Sequence, residues 1–175
     1  MRLFIAIDVT ELAPYFKELQ AKIPLDGVKI KLTDSFHLTL KFLGEVPDTN
    51  IVKIDGFLKK IQFVEFPITF NHLGFFPNEN YVRVLWVGLK EYEKAVGLQR
   101  MVDTNLISMF KKENDYHPHI TLSRLRFVKD PISFVGKIKC INVDEITFTV
   151  THFKLIQSAL TEQGAIYKDL KVYGI

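Results

Sequence analysis

The chain has 175 residues, 47% of them hydrophobic and 25% charged, a balance that excludes a disordered polypeptide and fits one ordinary domain or two small lobes on a shared core. A formal net charge of +3 tolerates an anionic ligand without demanding one, and no run of about 18 apolar residues is present to span a membrane as a helix. The single cysteine, Cys140, cannot close an internal disulfide, which suits a reducing compartment, so a cytoplasmic location is expected.

The N-terminal MRLFIAID segment lacks the longer apolar stretch and small-residue cleavage site of a signal peptide, and it predicts a first strand over Arg2–Asp8. Leu12, Tyr15, Phe16, Leu19 and Ile23 recur at helical spacing and predict an amphipathic helix. Val28–Leu32 and His37–Leu43 read as strands. Ile51, Ile54, Leu58 and Ile61 form a second helical stripe, with Asp48 or Thr49 as its cap. Strands over Phe66–Phe75 and Tyr81–Leu89 precede a third stripe of Leu98, Met101, Val102, Leu106, Met109 and Phe110. His119–Leu125 is the next strand, and a short helix is expected near Ile132–Ile138 with Pro131 in its first turn. Strands over Glu145–Ala159 and Ala165–Val172 complete the pattern. Strands alternating with amphipathic helices place the chain in the α+β or α/β class.

The two halves repeat. Phe4 and His37 are 33 positions apart, as are Trp86 and His119, so the halves align there at a constant offset of 82. A later match, Ile68–Phe70 with Ile146–Phe148, has an offset of 78 and needs an indel of about four residues. The chain reads as a duplicated β-α-β unit.

Each half carries one H-x-T-L segment, at His37–Leu40 and His119–Leu122. From the chain's own counts of His, Thr and Leu, that motif is expected roughly 0.03 times, and here it occurs twice at matched positions. In a strand, residues i and i+2 share a face, so each His shares a face with its Thr, and the apolar residues between them point the other way. Two imidazoles and two hydroxyls on one buried face would each need a partner, whereas a wet, anion-binding cleft satisfies them all. Two imidazoles with ordinary pKa near about 6.5 can hold opposite protonation states, one taking a proton from a nucleophile and one giving a proton to a leaving group. The Thr hydroxyls can donate to the non-bridging oxygens of a phosphate. Arg124 follows His119 by five, the wrong parity for an ideal strand, so it reaches the same cleft only if the strand ends or bulges near Ser123. Phe42, three after Thr39, is a candidate to line the cleft.

These motifs, together with RLFIAID, FHLTLKFLGEV, RVLWVGL, HPHITLSR and the late LIQSALTEQGAIY, resemble the RNA 2′,3′-cyclic phosphodiesterases, also called 2′-5′ RNA ligase-like or LigT-like proteins, within the 2H phosphoesterases. The resemblance covers essentially the whole chain. It implies an α+β fold spanning residues 1–175 as one domain of two pseudo-symmetric lobes, each an antiparallel sheet backed by helices, around a central cleft. It implies metal-independent opening of a 2′,3′-cyclic phosphate at an RNA end, or in a cyclic nucleotide, to a 2′-phosphate, with no cofactor. His37 would be the proton donor, His119 the proton acceptor, Thr39 and Thr121 the phosphate holders, and Arg124 the basic residue after the second motif. Ser123 departs from the family, where a small apolar residue is usual, and little consequence is expected. The duplication supplies both halves of the site, which favours a monomer without membrane contact.

Rival readings remain open from the sequence. The same site run backward would join RNA ends through a 2′-5′ linkage, and a nucleotide- or RNA-binding module could use the cleft without turnover. His117 and His119 could offer two metal ligands, but no third is spaced nearby. His72 and His152 read as structural or surface residues, and Cys140 has no local Cys/His signature. Phe4, Phe42, Trp86 and Tyr81 are candidates for base stacking, with packing the better reading for Trp86. Lys41, Arg83, Arg126 and Lys129 could steer an RNA backbone or simply face solvent.

Overall fold

A computed structural model of the protein describes residues 1–161 and 164–174. In chain order the elements are β1 (Arg2–Asp8), α1 (Ala13–Ala21), β2 (Val28–Leu32), β3 (His37–Glu45), α2 (Ile51–Leu58), β4 (Phe66–Asn78) and β5 (Tyr81–Leu89), then α3 (Glu93–Leu106), β6 (His119–Val128), α4 (Pro131–Lys139), β7 (Ile146–Val150), β8 (His152–Thr161) and β9 (Gly164–Gly174). Short 3-10 turns at Thr10–Leu12 and Asp48–Asn50 lead into α1 and α2. The expected helices are all present. The third ends at Leu106, and Met109 and Phe110 fold back onto the Leu106 carbonyl in turns. The fourth starts where Pro131 sets its first turn, and the Asp130 side chain accepts from the Ser133 N–H at 3.0 Å.

All strand pairs are antiparallel, in two sheets ordered β3-β1-β8-β9 and β2-β6-β5-β4-β7. The expected single strand over Glu145–Ala159 is instead two strands in different sheets. β7 pairs with β4 and β8 pairs with β1, the chain crossing between sheets at Thr151. The inward residues explain the break: Ile146, Phe148 and Val150 alternate, then Phe153 and Leu155 resume one position out of phase. Each sheet is therefore assembled from both halves of the duplication. The two Ile-Thr-Phe segments pair directly with each other, Thr69 opposite Thr147 with their hydroxyls 2.9 Å apart. The offset of 82 also proves imperfect in register. Thr39 stands opposite Ala6, whereas Thr121 stands opposite Trp86, whose counterpart by sequence is Phe4. The two connectors are built differently, a 9-residue helix plus β2 in one half and a 14-residue helix in the other.

One large core lies between the sheets and helices α1, α2 and α3. It takes Leu3, Ile5 and Ile7 of β1, Leu38 and Leu40 of β3, Ile120 and Leu122 of β6, and Phe16, Ile54 and Val102 of the helices. A smaller core seats Phe134, Val135 and Ile138 of α4 on Leu85 and Leu125. Burying such side chains is worth about 1.5–3 kcal/mol each, which anchors the helices on one face of the strands and leaves the opposite face for the site.

Two polar groups cross this core. The Gln20 side chain of α1 donates to the carbonyls of Thr33 (2.8 Å) and Leu122 (2.7 Å). Lys41 of β3 is 5% exposed, and its ammonium donates to the Asp103 carboxylate of α3 and to the Lys111 carbonyl. Asp103 also accepts from Gln99 and from the Glu113 N–H, both at 2.9 Å. Burial pushes the Asp103 carboxyl up, and these donors outweigh it and hold the group below the usual carboxylate range. Lys41 is thus a structural cation, and both readings of it from the sequence, a residue facing solvent or one steering RNA, are corrected.

Candidate active site

The H-x-T-L parity holds in both strands. His37 and Thr39 of β3, and His119 and Thr121 of β6, are half-buried and line one cleft of about 610 Å³, while Leu38, Leu40, Ile120 and Leu122 are buried behind them. The same irregularity follows each motif. The register of β1 on β3 steps from Ala6–Thr39 to Ile5–Lys41, leaving Leu40 as the extra residue. The register of β5 on β6 steps from Trp86–Thr121 to Leu85–Ser123, leaving Leu122 as the extra residue. A bulge reverses the facing of everything after it. Lys41 and Ser123 turn inward and are buried, and Phe42 and Arg124 turn onto the cleft wall. The condition set for Arg124 is met at Leu122–Ser123, and Phe42, 69% exposed, lines the same cleft. Gln20 braces the second bulge through the Leu122 carbonyl. Among the described residues, the buried Ser123 hydroxyl has no hydrogen-bond partner.

Each histidine rests on aromatic rings. The His37 ring lies 4.9 Å from Phe4 and 5.1 Å edge-on from Tyr167 of β9. The His119 ring lies 4.8 Å edge-on from Phe76 of β4 and 6.0 Å from Trp86. Phe4 and Trp86 are 3% and 6% exposed, so both are supports beneath the histidines: packing, the better reading for Trp86, holds, and base stacking on Phe4 is corrected. Tyr81 is exposed and lies under the Arg83 guanidinium, 4.4 Å from its ring centre. His117 packs on Trp86 at 4.7 Å, and His72 stands edge-on to the same indole while bonding Asn71. His152 starts β8, bonded to the Thr151 hydroxyl. Among the described residues, no group of three or more His, Cys, Asp or Glu is placed to hold a metal ion. Cys140 is exposed.

Trp86 fits because β4 offers a glycine opposite it. A Cβ on Gly74 would stand 2.2 Å from the indole, and one on Gly88 would stand 2.4 Å from the His72 ring and 2.8 Å from Trp86. Gly74→Ala is expected to cost about 1–3 kcal/mol by overpacking. It is also expected to lower activity by displacing the floor under His119. Chemical denaturation and kcat on the same preparation check both.

Hydrogen bonding distinguishes the two histidines. His119 Nδ1 lies 2.7 Å from the His117 carbonyl, which can only accept, so Nδ1 carries the proton and Nε2 of the neutral ring holds the lone pair. Burial lowers the His119 pKa, the hydrogen bond to His117 works against that, and the charges of His117 and Arg124 add to it. Burial pushes His37 further, down to about 4, against the pull of the Asp8 carboxylate, which stands opposite it in the β1–β3 pairing. Asp8 is itself held low by Lys154 and Thr10 despite partial burial. Both rings are therefore neutral at neutral pH in the protein alone. A His whose folded pKa lies below its unfolded value of about 6.5 loses stability as pH falls from there towards 4.

Sequence reasoning did not find Arg2, Thr33, Ser35, Phe76, Ser158 or Tyr167 as cleft residues. The only signal for them came through resemblance, from RLFIAID, which holds Arg2, and LIQSALTEQGAIY, which holds Ser158 and Tyr167.

Comparison with known proteins gives a consistent picture. The family model described as LigT like Phosphoesterase matches twice, over residues 6–86 and 87–167. An RNA 2′,3′-cyclic phosphodiesterase of Methanocaldococcus jannaschii is 35% identical over 174 residues, covering 98% of this chain and 99% of that protein. One from Archaeoglobus fulgidus is 35% identical over 180 residues, covering 99% of each. The crystal structure of E. coli LigT complexed with 3′-AMP superposes with a TM-score of 0.78 at 25% identity, covering 99% of this chain and 97% of that one.

Proposed function

The chain belongs to the LigT-like phosphoesterase family, and on that premise we propose that it is an RNA 2′,3′-cyclic phosphodiesterase whose product is a 2′-phosphomonoester. The observation that carries this is the meeting of both H-x-T-L motifs and Arg124 in one cleft. Residues 1–175 then act as one monomeric domain of two pseudo-symmetric lobes, with RNA ends or cyclic nucleotides as substrates.

His119 is the general base. Its Nε2 lone pair takes a proton from water as the water oxygen bonds to phosphorus. The bond from phosphorus to O3′ breaks on the far side, and His37 gives a proton to O3′, leaving a 3′-hydroxyl and a 2′-phosphate. Thr39, Thr121 and Arg124 hold the non-bridging oxygens and balance the charge that develops on them. Proton transfer and charge balance both come from side chains, so the mechanism assigns no metal ion a role. The depressed His37 pKa fits an acid that charges only when an anion enters: the substrate's negative charge replaces lost solvation and raises both imidazoles.

A pH signature follows. The optimum of kcat/KM, which reports free enzyme, lies on the acid side of an ordinary histidine pKa, and the kcat profile lies at higher pH. Asp8→Asn removes the carboxylate that raises His37, so the kcat/KM optimum moves to lower pH and the value at neutral pH falls. A profile unchanged in that variant would contradict the role given to His37.

The direct test is to incubate EDTA-treated protein with an RNA oligomer ending in a 2′,3′-cyclic phosphate and with the same oligomer ending in a 3′-hydroxyl. Opening of the cyclic end alone is expected. A cyclic end left intact would refute the proposal.

A further inference from the structure

Beyond Arg124 the cleft wall continues onto the outer part of the five-stranded sheet, where charge is one-sided. Strands β2, β5 and β6 carry Lys29, Lys31, Arg83, Arg124 and Arg126 and no Asp or Glu. These are five of the chain's 23 Lys and Arg and none of its 20 Asp and Glu, so the remainder of the chain is net acidic by two. The register gathers them. Lys31 stands opposite Arg124, which stands opposite the cleft residue Val84, and Lys29, on the same face of β2 as Lys31, stands opposite Phe127. Arg83 donates to the Arg126 backbone carbonyl at 2.7 Å, tying the Arg83 side chain of β5 to the β6 backbone. Among the described residues, no carboxylate forms an ion pair with any of the five. Two exposed rings lie with them: Phe127, 52% exposed, and Tyr81, 55% exposed beneath the Arg83 guanidinium.

An ordinary solvated face intersperses both signs of charge, which relieves repulsion between like neighbours. Here the relief must come from outside. An acidic protein surface would supply charge but would leave the ring faces unused. A single nucleic-acid strand supplies phosphates for the cations and bases for the rings.

We propose that this face is a track for single-stranded RNA, holding the nucleotides that lead to the cyclic phosphate, so that the enzyme's substrate is an RNA end in preference to a free cyclic nucleotide. The proposal rests on the reading that the cleft takes a 2′,3′-cyclic phosphate. From Arg124 to Phe127 the strand advances about 10 Å, so the track begins at the phosphate site and runs outward from it.

The experiment compares wild type with the triple variant Lys29→Gln/Lys31→Gln/Arg126→Gln. The substrates are a 2′,3′-cyclic mononucleotide and an RNA decamer with the same cyclic end. Wild type is expected to favour the decamer at least tenfold in kcat/KM, through KM. The triple variant loses that preference, with mononucleotide kinetics unchanged. For single strands each phosphate contact contributes a slope of about −0.7 to log K against log salt, so losing three contacts flattens the decamer's salt dependence by about 2. Equal handling of both substrates by wild type, or an unaltered decamer KM in the variant, would overturn the track while leaving the cyclic phosphodiesterase assignment intact. Fluorescence anisotropy with a labelled decamer ending in a 3′-hydroxyl reads the track without turnover. Weaker binding by the triple variant supports the proposal even if the hydrolytic assignment fails. Equal affinity for a polyglutamate of the same charge would overturn it.

Discussion

His119→Ala and His37→Ala are each expected to lower kcat on a 2′,3′-cyclic phosphate by about 10²–10⁴, the usual weight of a positioned general acid or base. The double variant should be little slower than either single one, because in the proposed mechanism both histidines serve one transition state and the phosphate donors supply the remaining catalysis. The environments explain why neither is replaceable by its neighbours. His119 is held in one tautomer by the His117 carbonyl and backed by Phe76, and His117 itself packs on Trp86. His37 is held between Phe4 and Tyr167, with Asp8 as the nearby carboxylate that raises its pKa. Steady-state kinetics at several pH values checks this, and activity within tenfold of wild type in either single variant would remove that residue from the mechanism.

Lys41→Met is expected to destabilise the protein by about 3–5 kcal/mol, the cost of leaving a buried charge without its partner. Among the described residues, the stranded Asp103 carboxylate keeps Gln99 and the Glu113 N–H as its donors. For a chain of this length that is roughly a 10 °C fall in Tm. Lys41→Met combined with Asp103→Leu should recover most of the loss, since well-packed apolar replacements of a buried pair are often neutral or better. Thermal melts of the three variants decide the matter, and a single variant as stable as wild type would show that the pair is not coupled. The pair has a functional side as well. Lys41 turns inward only because Leu40 is bulged, and that turn puts Phe42 on the cleft wall.

How much of this was legible in the sequence follows from what each pattern encodes. Strand parity placed His37 with Thr39 and His119 with Thr121, because alternation is a local property that needs no partner. The facing of Arg124 and Phe42 depended on a bulge, which is a property of two strands together. Its trace was nevertheless there: Leu38, Leu40 and Leu43, like Ile120, Leu122 and Leu125, are spaced by two and then by three. The same slip from Val150 to Phe153 marked the crossing at Thr151, which the reading of one long strand passed over. Lys41 could not have been read correctly, since its partner Asp103 lies 62 positions away on α3 and no spacing rule joins them. The pairing of each sheet from both halves was equally hidden, because duplication reveals what repeats and not which copy a strand joins.

The proposed reaction opens a cyclic phosphate with two histidines of opposite duty. Phosphorus NMR of the product formed from a 2′,3′-cyclic nucleotide tests it most directly. A single resonance of the 2′-phosphomonoester is expected with wild type, with none from His37→Ala or His119→Ala under the same conditions. A 3′-phosphomonoester product, or the same 2′-product from either histidine variant at an undiminished rate, would contradict it.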